Sequence, residues 1–198
     1  YALAAWIRIA ELQAQNIETQ KFSKKKLIEA LPRIRNLTND ESGEFFEELV
    51  ELLSNCGIAL VIANHLSGTG IHGVTFLNSK RNKLIIQLSV RGKFADKFWF
   101  TLFHEIGHIV YDNTGEFSYI DCDEETEKEV DKLAREILIP QERYNYFIEN
   151  CNYYNLNVIK NFAKDLGIHP CIIVGRLKYE KYLPYTSFTD IAPKFVIK

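Results

Sequence analysis

The chain lacks several features that would place it in a common protein class. Its 198 residues include no methionine, and its cysteines never form the C-x-x-C spacing of zinc ribbons. The four are Cys56, Cys122, Cys151 and Cys171. No signal peptide is visible, and no apolar run is long enough to span a membrane. These absences favour a cytoplasmic protein with reduced thiols, while the even number of cysteines leaves a secreted protein with two disulfides open.

The chain also has little net charge. Its 24 basic and 26 acidic residues leave a formal charge of -2, so no overall basic field draws it to nucleic acid or to an anionic membrane. Hydrophobic residues make up 46% and aromatic residues 13%, as is ordinary for a folded globular protein. Because the sequence starts at Tyr1 and contains no methionine, we expect a fragment or processed chain that lacks an N-terminal domain or targeting segment.

Apolar periodicity predicts helices in the first part of the chain. The predicted helices span 2–18, 24–35 and 42–55. Ser23 precedes the second as a plausible N-cap, and Gly57 follows the third as its stop. Pro32 is expected to kink or end the second helix near Leu31. These segments are predicted to be packing helices.

The periodicity then changes to that of strands. Short apolar and β-branched runs, separated by Gly, Asn and Ser, predict a small antiparallel sheet of three strands, and therefore an α+β fold. The strands span 58–63, 74–77 and 84–88. The glycine-rich connection at 64–73 carries His65 and His72, each of which is either an exposed loop residue or a substrate contact.

The residues that can carry chemistry lie in a helix predicted over 95–111, which contains His104-Glu105-x-x-His108. A helix advances about 100° per residue, so His104 and His108 lie one turn apart and can bind one metal ion. Glu105 lies beside them, where its carboxylate can reach a water without being a ligand. As core residues, two imidazoles and a carboxylate would all need buried partners. We therefore predict a metal site.

A catalytic zinc ion needs a third protein ligand besides two histidines, with one position left open. The acidic segment 121–131, predicted to enter a helix that Pro140 stops, is the nearest source. Glu127 and Asp131 are four residues apart and share a face. Glu127 can therefore bind the metal while Asp131 accepts the outer N–H of a ligand histidine. Periodicity leaves other acids open as the ligand: Glu124, Glu125 and Glu129.

Two segments resemble the ImmA/IrrE metallo-endopeptidases. They are Phe100-Thr101-Leu102-Phe103-His104-Glu105-Ile106-Gly107-His108 and the residues at 127–140, which close on Leu-Ile-Pro. The resemblance covers roughly 49–177. It implies a zincin-like, gluzincin-type domain, in which a small sheet packs on an active-site helix and a ligand helix, and it places the third ligand at Glu127. Asp131 stands where the family commonly has Asn, and it resembles the Glu-x-x-x-Asp pattern of thermolysin-like zincins.

The resemblance also implies a function. Such proteins are cytoplasmic zinc metallo-endopeptidases that cleave a helix-turn-helix repressor, and some relatives carry their own helix-turn-helix domain and are HigA-like antidotes of toxin-antitoxin modules. The opening residues 5–18 resemble the linker of that fused group. The expected partner is therefore a repressor or antitoxin substrate, or a cognate toxin. DNA is expected to bind only through a missing N-terminal domain, and no membrane is expected to bind.

The expected site combines these assignments. His104, His108 and Glu127 bind Zn2+, Glu105 is the general base, and Asp131 orients a ligand histidine. The residue that stabilises the oxyanion stays unassigned among four candidates. They are His72, Arg81, Tyr111 and His169.

An extended substrate is expected to add along an exposed strand edge at Val74, Thr75 and Phe76. The chain is expected to divide into three segments. These are N-terminal packing helices or linker at 1–55, a zincin-like catalytic core at 56–150, and a helical hairpin with a tail at 151–198, packed on the core.

The hairpin within 157–181 suggests a different function. Ala163 and Gly167 have the small-residue spacing of a helix-turn-helix, and the segment carries a local charge of about +3. However, Arg176 falls where the second helix should offer a core residue, and 171–174 reads as buried, so packing is favoured over DNA reading. The alternative function is an antitoxin or transcription-regulator module that binds a toxin or DNA, with a structural, sensory or latent zinc site.

Overall fold

A computed structural model of the chain describes residues 2–40, 45–64, 71–89, 95–112 and 123–193. Within these residues the chain forms an α+β fold of eight α-helices, one 3-10 helix (Leu37–Asn39) and three strands. The helices are α1 (Ala2–Ala14), α2 (Lys24–Asn36), α3 (Phe45–Cys56), α4 (Ala95–Tyr111), α5 (Glu124–Leu138), α6 (Gln141–Asn150), α7 (Leu156–Leu166) and α8 (Pro170–Tyr179). The strands are β1 (Ile58–Ala63), β2 (Gly73–Leu77) and β3 (Leu84–Ser89).

The sheet is mixed, so the prediction of an antiparallel sheet is wrong. The strand order is β1-β3-β2. β2 and β3 form an antiparallel hairpin with Gly73 opposite Leu88, but β1 pairs with β3 in parallel, with Ile58 opposite Leu84. Both β1 and β3 are apolar nearly throughout and buried on both faces, which is typical of parallel strands. The strand order places β2 at an edge of the sheet.

The sheet lies between α1 and a larger helical body. Side chains alternate between its faces, so Val74 and Phe76 of β2 pack with Trp6 of α1, while Leu60 and Ile86 face the body formed by α2 to α8. The main core draws side chains from each of the three predicted segments, and α4 crosses it. α1 is thus an integral layer of the fold, not a free connection.

Helix boundaries follow the predictions at several points. α4 has the predicted bounds, and the Ser23 hydroxyl caps α2 by accepting the N–H of Lys26 at 3.4 Å. The residues at 41–44, where the third helix was predicted to begin, lie outside the described residues. Gly57 follows α3 with φ of 91°, a conformation that favours glycine.

The first helix ends at Ala14 and not near residue 18, so that prediction is wrong. Of the two outcomes expected at Pro32, an end near Leu31 is wrong, because α2 continues through Pro32 to Asn36. A proline removes only one hydrogen bond of a helix. The buried Ile34 and the Arg35 guanidinium, which donates to the carbonyl of Leu138 at 3.0 Å, fix the turn beyond the proline. Tertiary contacts therefore outweigh the local signal.

The C-terminal hairpin packs into the core. Gly167 ends α7 in the left-handed conformation, and the His169 ring caps α8 by accepting the N–H of Cys171 at 3.1 Å. Five of the ten residues of α8 are buried and only Tyr179 is exposed. A recognition helix needs an exposed face for the DNA groove, so this burial favours packing over DNA reading. None of the described helices has both the length and the apolarity to cross a membrane.

Candidate metal centre

The side chains of two histidines on the buried helix α4 lie side by side. The ring centroids of His104 and His108 are 4.9 Å apart, as expected for residues one helical turn apart. His108 is only 3% exposed, and Glu105 between them is 4% exposed. The helix thus holds the two imidazoles and the carboxylate largely away from bulk water.

Helix α5 brings a third donor to these two histidines. The Glu127 carboxylate lies with one oxygen 3.3 Å from Nε2 of His104 and the other 3.4 Å from Nε2 of His108. Close packing of α4 on α5 makes this possible, since a Cβ at Gly107 would lie 2.9 Å from Cγ1 of Val130. The Asp123 side chain caps the start of α5 by accepting the N–H of Thr126 at 2.8 Å.

The donor set fits a divalent metal ion. The three ligand atoms of His104, His108 and Glu127 lie within 4.8 Å of one another, and two imidazoles with one carboxylate are a known catalytic zinc set. Burial is the main cause that lowers the pKa of His108 to about 4, so this imidazole is neutral near pH 7, which is the form that binds a metal.

Asp131 orients one of the two imidazoles. Its carboxylate lies 2.9 Å from Nδ1 of His104, so Nδ1–H donates to Asp131 and Nε2 points towards Glu127. Burial alone would lower the pKa of His104, but the hydrogen bond to Asp131 and the nearby carboxylates outweigh it and raise that pKa. The same hydrogen bond is the largest cause of the lowered pKa of Asp131. Arg135 anchors the other carboxylate oxygen of Asp131 at 3.2 Å.

The Glu105 carboxylate is held by strand β2. The Thr75 hydroxyl donates to Oε2 of Glu105 at 2.8 Å, and a Cβ at Gly73 would lie only 2.6 Å from Oε1. Burial is the main cause that raises the pKa of Glu105 to about 7, while His104 and Thr75 oppose the shift. A carboxyl group with such a pKa can both accept and release a proton near neutral pH.

The structure separates the three residues predicted to bind substrate. The side chain of Thr75 is turned to Glu105, whereas Val74 and Phe76 pack under α1 on the opposite face. All three residues, main chain included, are at most 5% exposed, whereas Gly73 and Leu77 at the two ends of the strand are partly exposed. Sequence reasoning missed that Thr75 and Gly73 hold the Glu105 carboxylate in place. The available signal was a glycine at the start of a strand, which often marks the close approach of another group.

The other acids considered as ligands point away from the site. Glu124 lies 2.7 Å from Lys128, and Glu129 lies 3.8 Å from Lys132, both on the exposed face of α5. Glu125 is exposed as well. Among the residues that the structure describes, only Glu127 completes the cluster with the two histidines.

The four candidates for oxyanion stabilisation are scattered. His72 directly precedes Gly73, the residue that lies against Glu105. Tyr111 ends α4 and is 41% exposed, and Arg81 lies in the turn between β2 and β3. His169 is buried as the cap of α8. His65 lies outside the described residues.

Comparison with known proteins agrees with this geometry. The family model for the IrrE N-terminal-like domain (Peptidase_M78) matches residues 58–178, which is more than half of the chain. No curated protein is similar enough to match. The matched region contains the sheet, both helices of the metal centre and the C-terminal hairpin. The chain therefore belongs to the ImmA/IrrE family of metallopeptidases.

Proposed function

We propose that the protein is a zinc-dependent endopeptidase that cleaves a helix-turn-helix transcriptional repressor or an antitoxin. The observation that carries this proposal is the convergence of His104, His108 and Glu127 beside the buried carboxylate of Glu105. Three ligands and a separate carboxylate are the parts that a zinc peptidase needs. Membership of the family supports the reaction class, and the resemblance described above suggests the class of substrate.

In this proposal His104, His108 and Glu127 hold Zn2+, and Asp131 keeps His104 in the tautomer that offers Nε2. When bound, zinc acts as a Lewis acid that polarises the scissile carbonyl and makes water more acidic. Glu105 lies next to the ligands without being one of them. Its carboxylate takes a proton from the attacking water as general base and later gives that proton to the leaving amine.

The neighbours of Glu105 support this role. Thr75 fixes one carboxylate oxygen, and Gly73 leaves space only for the hydrogen of a glycine beside the other. A general base must be held within reach of the proton it removes, and small misplacements are costly. In this proposal the substrate lies as an extended segment at the edge strand β2, beside its partly exposed first residue, Gly73.

A structural or latent metal site is the rival function. Structural zinc sites are usually closed by four protein ligands, whereas the described residues supply three. The Glu127 side chain is 42% exposed, so solvent can reach the ligand cluster from that side. Both features favour a catalytic site. Localisation in the cytoplasm, where repressors and antitoxins act, is part of the proposal.

The test compares the zinc-loaded protein with Glu105→Gln. Each is incubated with the repressor or antitoxin encoded beside it, and products are identified by mass spectrometry. We expect cleavage by the parent and at least a 1000-fold slower rate for the variant, which is roughly what loss of a general base and water activation gives. Both should bind one zinc ion. Full cleavage by the variant contradicts the mechanism, and zinc binding without any cleavage favours the latent site.

A further inference from the structure

A cavity of about 480 Å³ lies beside the metal centre. Its inner walls come from the first turns of α4, the end of α5 and one side of α8, and its outer wall comes from the C-terminal segment at 185–192. The volume is within the range of ligand pockets. The volume alone does not identify an occupant. The position of the cavity relative to the metal centre and the chemistry of its lining residues restrict what can bind there.

The cavity lies next to the metal centre. Phe100 and Thr101 line it one helical turn before His104 and Glu105. The Phe100 ring centroid lies 6.3 Å from that of His104, and Thr101 and Glu105 both lie against Gly73, since a Cβ there would be 2.8 Å from Cγ2 of Thr101 and 2.6 Å from Oε1 of Glu105. A group in the cavity therefore lies about one helical turn from His104 and Glu105.

The charged groups of the lining have partners. Arg135 is bound to Asp131, and Arg176 is bound to Glu180 at 2.9 Å. The half-buried Asp96 has the ammonium groups of Lys97 and Lys178 near it. The other lining residues are mainly apolar, among them Leu138, Ile139, Ile172, Val174 and Ile191. The lining thus fits an apolar group and offers little to a charged one.

The distance also restricts the occupant. A helical turn rises about 5.4 Å, and an extended chain advances about 3.3 Å per residue. A substrate side chain that reaches past Thr101 is therefore attached within about two residues of the scissile bond. This is the range in which side-chain pockets of a peptidase act on the rate.

The outer wall is a property of this chain. Tyr185, Phe188 and Ala192 line the cavity but lie beyond the residues that match the family. Phe188 and Ala192 also pack against the main core. The wall is thus a packed part of the fold, not a loose end.

We propose that this cavity is the specificity pocket of the peptidase. It takes a large apolar side chain, aromatic or branched aliphatic, within two residues of the scissile bond, and the C-terminal segment sets the size of that side chain. The proposal rests on the peptidase function for its biological meaning, but binding of the side chain can be measured without cleavage.

The experiment uses blocked heptapeptides of alanine with Phe, Leu, Ala or Asp at the central position. Their affinities for zinc-loaded Glu105→Gln are measured by calorimetry, and their cleavage by the parent is followed by mass spectrometry. We expect the Phe and Leu peptides to bind at least about tenfold more tightly than the Ala and Asp peptides, since a filled apolar pocket gives this order of discrimination. Equal affinity for the four peptides, or no measurable binding of any, overturns the proposal.

A pair of variants, one that fills the cavity and one that does not, supplies the matched comparison. Ala192→Phe, made in the Glu105→Gln background, should remove most of the preference for Phe over Ala. Ser187→Phe adds the same ring in the same segment, at a residue that does not line the cavity, and should keep the preference. Loss in both variants, or in neither, contradicts the assigned wall. If Ala192→Phe does not fold, the peptide series on the parent decides by itself.

The two proposals fail in different ways. Retained preference for Phe in binding, when the zinc-loaded parent cleaves neither the peptides nor the cognate repressor or antitoxin, refutes the peptidase function and leaves the pocket. Cleavage of all four peptides at similar rates refutes the pocket and leaves the peptidase.

Discussion

Replacing Gly73 with alanine should separate catalysis from metal binding. Gly73 lies at the start of β2, where an added Cβ would lie 2.6 Å from Oε1 of Glu105 and 2.8 Å from Cγ2 of Thr101. Ordinary contact begins near 3.4 Å, so the carboxylate must move back by about 0.8 Å. The ligands His104, His108 and Glu127 lie on α4 and α5, and none of the three atoms nearest to the new methyl group belongs to them.

The expected effect on the rate is large. A displacement of about 1 Å at a reacting group can cost about 100-fold, so kcat should fall between tenfold and 100-fold in Gly73→Ala. Metal content, measured by elemental analysis, should stay at one ion per chain, and KM for the substrate should change little. The measurement is a steady-state cleavage assay with the cognate repressor or antitoxin.

The matched variant is Gly107→Ala. Its added Cβ would lie 2.9 Å from Cγ1 of Val130, so it pushes α5, which carries Glu127, away from α4. This variant should lose metal affinity, whereas Gly73→Ala should lose turnover. Wild-type turnover in Gly73→Ala, with one metal bound, would refute the argument that Glu105 must be held in place.

Two further predictions follow from neighbouring charges. Asp131→Ala removes the partner of Nδ1 of His104 and should weaken zinc binding about 10-fold to 100-fold in chelator competition. The exposed control Lys132→Ala should leave the zinc affinity unchanged. Equal zinc affinity of Asp131→Ala and the parent would exclude the orienting role. Burial raises the pKa of Asp96 above its ordinary value of 3.8, although the nearby Lys97 and Lys178 oppose the shift. Ionisation of Asp96 therefore lowers the stability of the folded protein as the pH rises above 3.8. Asp96→Asn should therefore melt at a higher temperature than the parent at pH 8, with a difference that shrinks as the pH falls towards 3.8; a constant difference would contradict this origin.

The helices that carry the site illustrate how far local sequence reaches. The apolar run at 95–111 predicts α4 with its observed bounds, because a long periodic segment leaves little ambiguity. Within it, the spacing of His104 and His108 is enough to place both rings on one side. Spacing on α5 puts Glu127 and Asp131 on one face, but it does not distinguish Glu127 from its acidic neighbours. Two of these, Glu124 and Glu129, form ion pairs with lysines on the solvent side.

The sheet shows where local sequence falls short. The three strands are visible as apolar runs, but their order and direction depend on which edges meet, and the apolar runs of β1 and β3 leave both antiparallel and parallel pairing possible. Pro32 shows the same limit in a helix, because contacts made by Ile34 and Arg35 continue α2 beyond it.

The sequence by itself thus determines the two histidine donors of the metal centre, because a helix turns local spacing into a shared face. What only the tertiary structure decides is the environment of those donors. Gly107 admits α5 and so brings Glu127 to the histidines, Thr75 and Gly73 fix Glu105, and the C-terminal segment closes a cavity beside Thr101. These contacts join residues far apart in the chain, and no local periodicity contains them.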